Sequence, residues 1–153
     1  MRMSVKVVLA LMVLSLNVIT GTSAETGRCR PTLQDEIGPF YRPDAPLRSK
    51  IGDGYVLSGV VRDAVTCKPI PNARIEVWQV GPGGEYGDQW RATLISDRGG
   101  RYRIEMDFPV AYARRPPHIH ILVDKKNFAG LITQHYPKPG KRKARFDLVI
   151  ERE

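Results

Sequence analysis

The chain has 153 residues and a formal net charge of +8, with 24 Lys and Arg against 16 Asp and Glu. That length suits one ordinary domain, and the absence of internal repeats and low-complexity tracts excludes a repeat array. The excess of positive charge is not accompanied by an RNA-binding motif or a basic helical face, so the chain does not read as a nucleic-acid binder.

Residues 1–24 read as a secretory signal peptide. Arg2 and Lys6 flank the start of an apolar run from Val7 to Val18, and Thr22-Ser23-Ala24 supplies small residues for cleavage after Ala24. The apolar run is too short for a good membrane span, so no stable span is expected after cleavage. The remaining residues, 25–153, carry a net charge of +6 and are expected to be exported, either periplasmic or secreted. They hold two cysteines, Cys29 and Cys67, and an even count in an exported chain predicts one disulfide.

Residues 25–54 form a polar, proline-bearing arm that includes Gly38-Pro39-Phe40-Tyr41. From Tyr55 onward short apolar runs alternate with turn chemistry. Strands are predicted at 55–62, 73–80, 92–96, 101–106, 118–123 and 145–151. Lys68-Pro69-Ile70-Pro71-Asn72 breaks the first pair, and Asp97-Arg98-Gly99-Gly100 reads as a hairpin loop. No amphipathic helix of three turns follows the signal segment. Many short strands within about 100 residues predict an all-β fold over 55–153, an antiparallel β-sandwich with Greek-key-like pairing. Trp78 and Gln79 fall on opposite faces of their strand, and Trp78 is expected to fill the core.

The densest chemistry lies in Tyr112-Ala113-Arg114-Arg115-Pro116-Pro117-His118-Ile119-His120. Side chains at i and i+2 of a strand share a face, so His118 and His120 can converge on one metal ion, while Ile119, Ile121 and Val123 face the core. Imidazole does not choose among Zn, Cu, Fe and Ni. Phenols discriminate better: with a pKa of about 10, a Tyr coordinates at neutral pH only to a cation strong enough to displace its proton. Tyr86 and Tyr112 would offset most of the charge of a hard trivalent cation, which favours Fe(III). Two other readings stay open here. An HxH pair can be a coincidence of strand composition, and His118, His120 and His135 could form a tri-His zinc or copper site. Gln134 and His135 are adjacent, so only one of them can face a pocket built on that strand. The late cluster Lys138, Lys141, Arg142, Lys143 and Arg145 reads as a solvated loop broken by Pro137, Pro139 and Gly140, in preference to a steering patch for anions.

Over about residues 36–150 the chain resembles the intradiol ring-cleavage dioxygenases, the family of protocatechuate 3,4-dioxygenase and catechol 1,2-dioxygenase. The resemblance rests on Gly38-Pro39-Phe40-Tyr41, Ser58-Gly59-Val60-Val61-Arg62-Asp63, Ala73-Arg74-Ile75-Glu76-Val77-Trp78-Gln79 and Gly84-Glu85-Tyr86. It continues through Ser96-Asp97-Arg98-Gly99-Gly100-Arg101-Tyr102, Arg115-Pro116-Pro117-His118-Ile119-His120 and Leu131-Ile132-Thr133-Gln134-His135-Tyr136. The resemblance implies a non-haem Fe(III) centre held by Tyr86, Tyr112, His118 and His120. It also implies an arginine, Arg115, that stabilises negative charge developing on the substrate ring, and a pocket glutamine, Gln134. It implies a catechol-type substrate, displacement of Tyr112 from the metal, and cleavage by O2 to a cis,cis-muconate-type product. The five-residue loop between Tyr112 and His118 is shorter than in the best-known members, and their helical dimerisation region is missing. That is the pattern of a small exported branch with a protocatechuate-dioxygenase-like core. The rival on fold grounds is a non-catalytic sandwich module of the transthyretin or carboxypeptidase-regulatory type, since Gly59-Val60-Val61-Arg62-Asp63 and the 97–102 turn would suit either.

Overall fold

A computed structural model describes residues 29–153. The expected signal peptide, 1–24, lies outside the described residues. Eight strands follow one another: β1 (Tyr55–Asp63), β2 (Arg74–Val80), β3 (Tyr86–Ile95), β4 (Arg101–Met106), β5 (Ile119–Asp124), β6 (Leu131–His135), β7 (Lys143–Arg145) and β8 (Leu148–Ile150). They build two sheets, one in the order β4-β1-β7 with β8 also pairing β1, the other in the order β3-β2-β5-β6. The described residues contain no helix that is long and apolar enough to cross a membrane.

Period-two alternation makes this sandwich. In β1, Tyr55, Leu57 and Val61 point inward; in β4, Tyr102, Ile104 and Met106 do; in β5, Ile119, Ile121 and Val123 do. They meet Ile75 and Val77 of β2, Ala92 and Leu94 of β3, and Leu148 and Ile150 of β8 in one core. Burying each large aliphatic side chain contributes about 1.5–3 kcal/mol, so the inner faces dominate the stability of the fold. Pairing is antiparallel within the second sheet and between β1 and β4, but β7 and β8 run parallel to β1.

Four expectations need correction. The 97–100 segment is not a hairpin loop: β3 and β4 belong to different sheets, and the turn carries the chain from one to the other. Its local chemistry is that of a tight turn, with the Asp97 carboxylate accepting the Gly99 and Arg101 N–H groups at 2.8 Å each. Turn residues specify the bend but not which sheet receives the next strand. Second, the strand expected at 145–151 is broken into β7 and β8 at Phe146–Asp147. There the Asp147 carboxylate takes the Val60 N–H at 3.0 Å, and the Phe146 carbonyl accepts the buried Tyr102 hydroxyl at 2.5 Å. Third, β6 was absent from the expected strands, because Leu-Ile-Thr-Gln-His is covered on both faces and shows no clean alternation. Fourth, β3 begins at Tyr86 rather than at 92, its first half being a polar strand.

Cys29 and Cys67 are bonded to each other, 38 residues apart in sequence. The bond pins the start of the arm to the turn after β1. From there the arm donates Thr32 N–H to the Val149 carbonyl at 3.0 Å and Asp35 N–H to the Ile132 carbonyl at 2.8 Å. It then crosses the outer face of the second sheet and reaches the open edges of the sandwich. Thr93 N–H donates to the Pro46 carbonyl, and Ile51 N–H donates to the Glu105 carbonyl, each at 2.8 Å. The arm is thus a roof over one outer face.

Candidate metal centre

Across β2, β5 and β6 the register sets Trp78, His120 and Gln134 in one row. Because Ile119 and Ile121 point into the core, this row must point away from it, under the arm. His118 ends the Pro116-Pro117 segment just before β5 and is 3% exposed; His120 is 2% exposed. The His118 Nδ1–H donates to the Pro116 carbonyl at 2.8 Å, which leaves the lone pair on Nε2. That Nε2 stands 3.2 Å from His120 Nε2, which is itself 3.2 Å from the Tyr86 hydroxyl. Two ligands bound at about 2.1 Å and held 90–109° apart stand about 3.0–3.4 Å from each other, so this convergence matches the edge of a metal's coordination shell.

The second phenol lies beside the first. The Tyr112 ring meets the Tyr86 ring edge-on with centroids 5.4 Å apart. Tyr112 and Arg115 exchange backbone hydrogen bonds at 3.2 and 2.9 Å, closing a two-residue turn in which Ala113 has φ +52°. A side chain in that left-handed region costs about 1–2 kcal/mol, strain that the short 113–117 loop accepts in bringing Tyr112 and Arg115 together. Arg115 donates through Nη2 to Gln134 Oε1 at 2.7 Å and to the Tyr136 hydroxyl at 2.8 Å. The Tyr136 hydroxyl can donate a hydrogen bond to Asp35 Oδ2 at 3.1 Å or to Gln134 Oε1 at 3.0 Å, and Gln134 Nε2 donates to the Glu36 carbonyl at 2.6 Å.

The electrostatics suit nitrogen ligation. Burial, then the neighbouring His118 and the Arg115 cation, push the His120 imidazole down to about 4, so it stays neutral with a lone pair to give. Burial raises the Tyr86 phenol, with the Arg115 cation working in the opposite direction. A cation at the convergence of the two Nε2 atoms and the Tyr86 oxygen would supply the field that ionises that phenol. His120 Nδ1 is buried without a hydrogen bond among the described residues; it faces the Glu36 backbone, whose carbonyl already serves Gln134. Among the described residues no group of three or more His, Cys, Asp and Glu could hold a metal ion. The oxygen donors beside His118 and His120 are the phenols of Tyr86 and Tyr112. The tri-His arrangement is not formed: His135 pairs with Ile119 on the core-facing side, and its Nε2 contacts the Tyr55 hydroxyl at 2.9 Å.

Several contacts at the site were not singled out as functional in the sequence. Trp78 does not fill the core. Its side chain is 3% exposed on the outer face, stacked on His120 with ring centroids 4.9 Å apart and planes 4° from parallel. Phe40 of the arm stacks on Tyr86 at 4.3 Å and meets Tyr112 edge-on at 5.3 Å. Gly38, at φ +73°, lies so close to His120 that a Cβ there would sit 3.1 Å from Cε1. Pro39, Phe40, Arg42, Trp78, Tyr86, Gly87 and Arg91 line a cavity of about 280 Å³ beside the tyrosine. The Gly38-Pro39-Phe40-Tyr41 motif was the one signal that could have located this roof.

No family model matches the chain. A hydroxyquinol 1,2-dioxygenase of Rhodococcus opacus is 31% identical over 88% of this chain and 58% of its own length. A chlorocatechol 1,2-dioxygenase of Pseudomonas putida is 27% identical over 84% and 61%. Among solved structures, the dioxygenase domain of a dioxygenase carbohydrate-binding protein fusion from a cellulolytic Streptomyces matches with a TM-score of 0.73 and 24% identity, over 81% of this chain and all of that one. In sequence and in fold the chain is similar to intradiol ring-cleavage dioxygenases. The similar structures confirm the fold; an intradiol ring-cleavage dioxygenase from Tetranychus urticae, 19% identical, has a TM-score of 0.72. The chain spans about half to three fifths of the curated intradiol dioxygenases it matches, 45% of an Aspergillus niger member and 61% of the Pseudomonas putida one.

Proposed function

We propose that this chain is an exported, non-haem Fe(III) intradiol dioxygenase that cleaves a catechol-type diol between its hydroxyl-bearing carbons. Both atoms of O2 enter the product, a cis,cis-muconate-type dicarboxylate. The observation that carries this reading is the convergence of Tyr86, His118 and His120 within 3.2 Å contacts, with Tyr112 beside them and Arg115 held by Gln134. Sequence similarity to catechol-type dioxygenases supports it.

Ferric iron at this position would supply Lewis acidity, favouring the ionised form of a bound diol. The rest is the work of the chain. His118 and His120 give neutral nitrogen donors, and Tyr86 and Tyr112 give phenolates that offset the cation's charge. Tyr112 is half-buried and sits on a surface turn, so it is the phenolate placed to take a proton from an incoming diol and swing aside. Arg115 presents a guanidinium to negative charge that develops on the ring, fixed in advance by Gln134 and Tyr136. Phe40 and Trp78 enclose the site with aromatic surface and keep water from the ligands. Export is supported by the Cys29–Cys67 bond, since disulfides persist in oxidising compartments.

The test is a visible absorption spectrum of the purified protein with iron quantified in parallel, before and after catechol. A broad tyrosinate-to-iron band at about one iron per chain, shifting on catechol addition, is expected. A protein that stays colourless after Fe(III) loading would remove the assignment. Tyr86→Phe and Tyr112→Phe should each alter that band.

A further inference from the structure

A second concave surface lies away from the candidate metal centre. A groove of about 760 Å³ lies on the outer face of the β4-β1-β7 sheet and continues round the open edge of the sandwich to β3. The outward residues of β4, Arg101 and Arg103, alternate with the buried Tyr102 and Ile104. Register places Arg103 and Arg145 on either side of Ser58, about 9–10 Å apart at two strand spacings, and Lys143 beside Val56. Lys138, Lys141 and Arg142 are exposed in the loop that precedes β7.

Most of these cations are unmatched. Among the described residues, Arg101, Lys138, Lys141, Arg142 and Lys143 have no side-chain ion pair, and Arg103 approaches Glu105 only at 4.0 Å. Arg145 is held by Asp147 at 3.0 Å, and Arg48 is occupied by the Arg91 carbonyl at 2.9 Å. The groove also offers hydroxyls from Ser49 and Ser58 and apolar surface from Leu47 and Ile95, which are 73% and 47% exposed, while Asp97 is the one carboxylate in its lining. The metal-centre face carries both signs, with Asp35, Glu36 and Asp88 beside Arg42, Arg91 and Arg115. Within the late cationic segment, Lys138, Lys141 and Arg142 lie in an exposed loop, as the sequence reads, while Lys143 and Arg145 belong to β7.

We propose that this groove binds an acidic polysaccharide, a flexible chain bearing carboxylates. Guanidiniums pair with carboxylates in a planar fork, hydroxyls meet sugar hydroxyls, and the exposed Leu47 and Ile95 surface fits the apolar face of a sugar ring. No exposed aromatic ring lines the groove to stack nucleobases, and no amphipathic helix is present among the described residues to enter a lipid surface. The proposal does not depend on the catalytic reading.

The test uses the purified protein with polygalacturonate as the probe, read by equilibrium binding from about 50 to about 200 mM salt. Binding at low salt should weaken with salt, and Arg101→Gln with Arg103→Gln should lower affinity by about tenfold and reduce the salt dependence. The control pair Lys68→Gln with Lys126→Gln removes the same charge elsewhere and should change affinity less than about twofold. Both pairs are surface changes, and unchanged thermal melting confirms the fold. Absence of binding at low salt, or equal weakening by both pairs, overturns the proposal. So does double-stranded DNA or an anionic vesicle bound as tightly through the same two arginines.

Discussion

The indole of Trp78 lies flat against the imidazole of His120, and the two residues face each other across the β2–β5 register. A strand partner thus serves as the base plate of a candidate ligand, fixing the ring plane that a single χ1 choice would leave free. Trp78→Leu keeps the site apolar but removes the plate. Iron affinity should fall by about tenfold, with a stability loss of about 1–3 kcal/mol. An iron titration with unchanged affinity would show that His120 is oriented by something else.

Arg115 has two fixed partners, Gln134 and Tyr136. Arg115→Ala should retain iron and its visible colour while turnover drops by about a hundredfold, the scale of losing one preorganised charge donor. Tyr136→Phe removes one acceptor from the guanidinium and should lower kcat by about tenfold with KM nearly unchanged. Steady-state kinetics on iron-replete protein separate these outcomes, and full activity in Arg115→Ala would refute its assigned role.

Gly38 is the closest backbone approach to His120. A methyl group there meets both a left-handed φ of +73° and a 3.1 Å contact with the imidazole. Gly38→Ala should cost about 1–2 kcal/mol in urea unfolding and weaken iron binding as the arm lifts. Gly84 has a similar φ, +86°, with open space where a Cβ would go. Gly84→Ala should therefore show the backbone cost alone, with iron affinity intact.

Acid should destabilise the metal-free protein in a defined window. Burial, with His118 and Arg115, holds His120 to about 4, whereas an unfolded His takes its proton near about 6.5. Between those values the unfolded chain binds more protons, so stability falls as pH drops through the window, and this contribution levels off below about 4. His135, lowered by burial, acts with the same sign. Urea midpoints should decline from about pH 6.5 to 4, and His120→Gln should flatten the decline; an identical slope in the variant would contradict the assignment.

The disulfide closes 38 residues of sequence separation. In the chain-entropy model that is worth about 4 kcal/mol. Cys29→Ser with Cys67→Ser should lower the urea midpoint accordingly. Limited proteolysis should then cut the arm before the sandwich, and simultaneous loss of both would point to a structural role beyond tethering.

Much of this arrangement is legible in the sequence because period-two patterns are strict where one face is dry. Ile119, Ile121 and Val123 identify the core side of β5, and His120 is thereby assigned to the other side. Strand parity allows only one of Gln134 and His135 to face the pocket, and the motif resemblance names Gln134; its hydrogen bond to Arg115 is seen only in the structure. Legibility fails where residues are buried on both faces. Trp78 looks like core because it is apolar and buried, yet its cover is the arm, whose path no periodicity reveals. β6 fails for the same reason. The 97–100 turn fails because four residues encode a bend and not a destination.

The arm gives the molecule a division of labour. The side chains of the sandwich core come mostly from inward strand positions, and the residues that roof the metal-centre face, Gly38 to Tyr41, lie outside every strand and outside that core. Substitutions in the roof can therefore reshape the mouth of the site at little cost to the packing beneath it. Two sandwiches with the same interior could accept differently shaped diols by changing a handful of residues in a segment anchored at both ends.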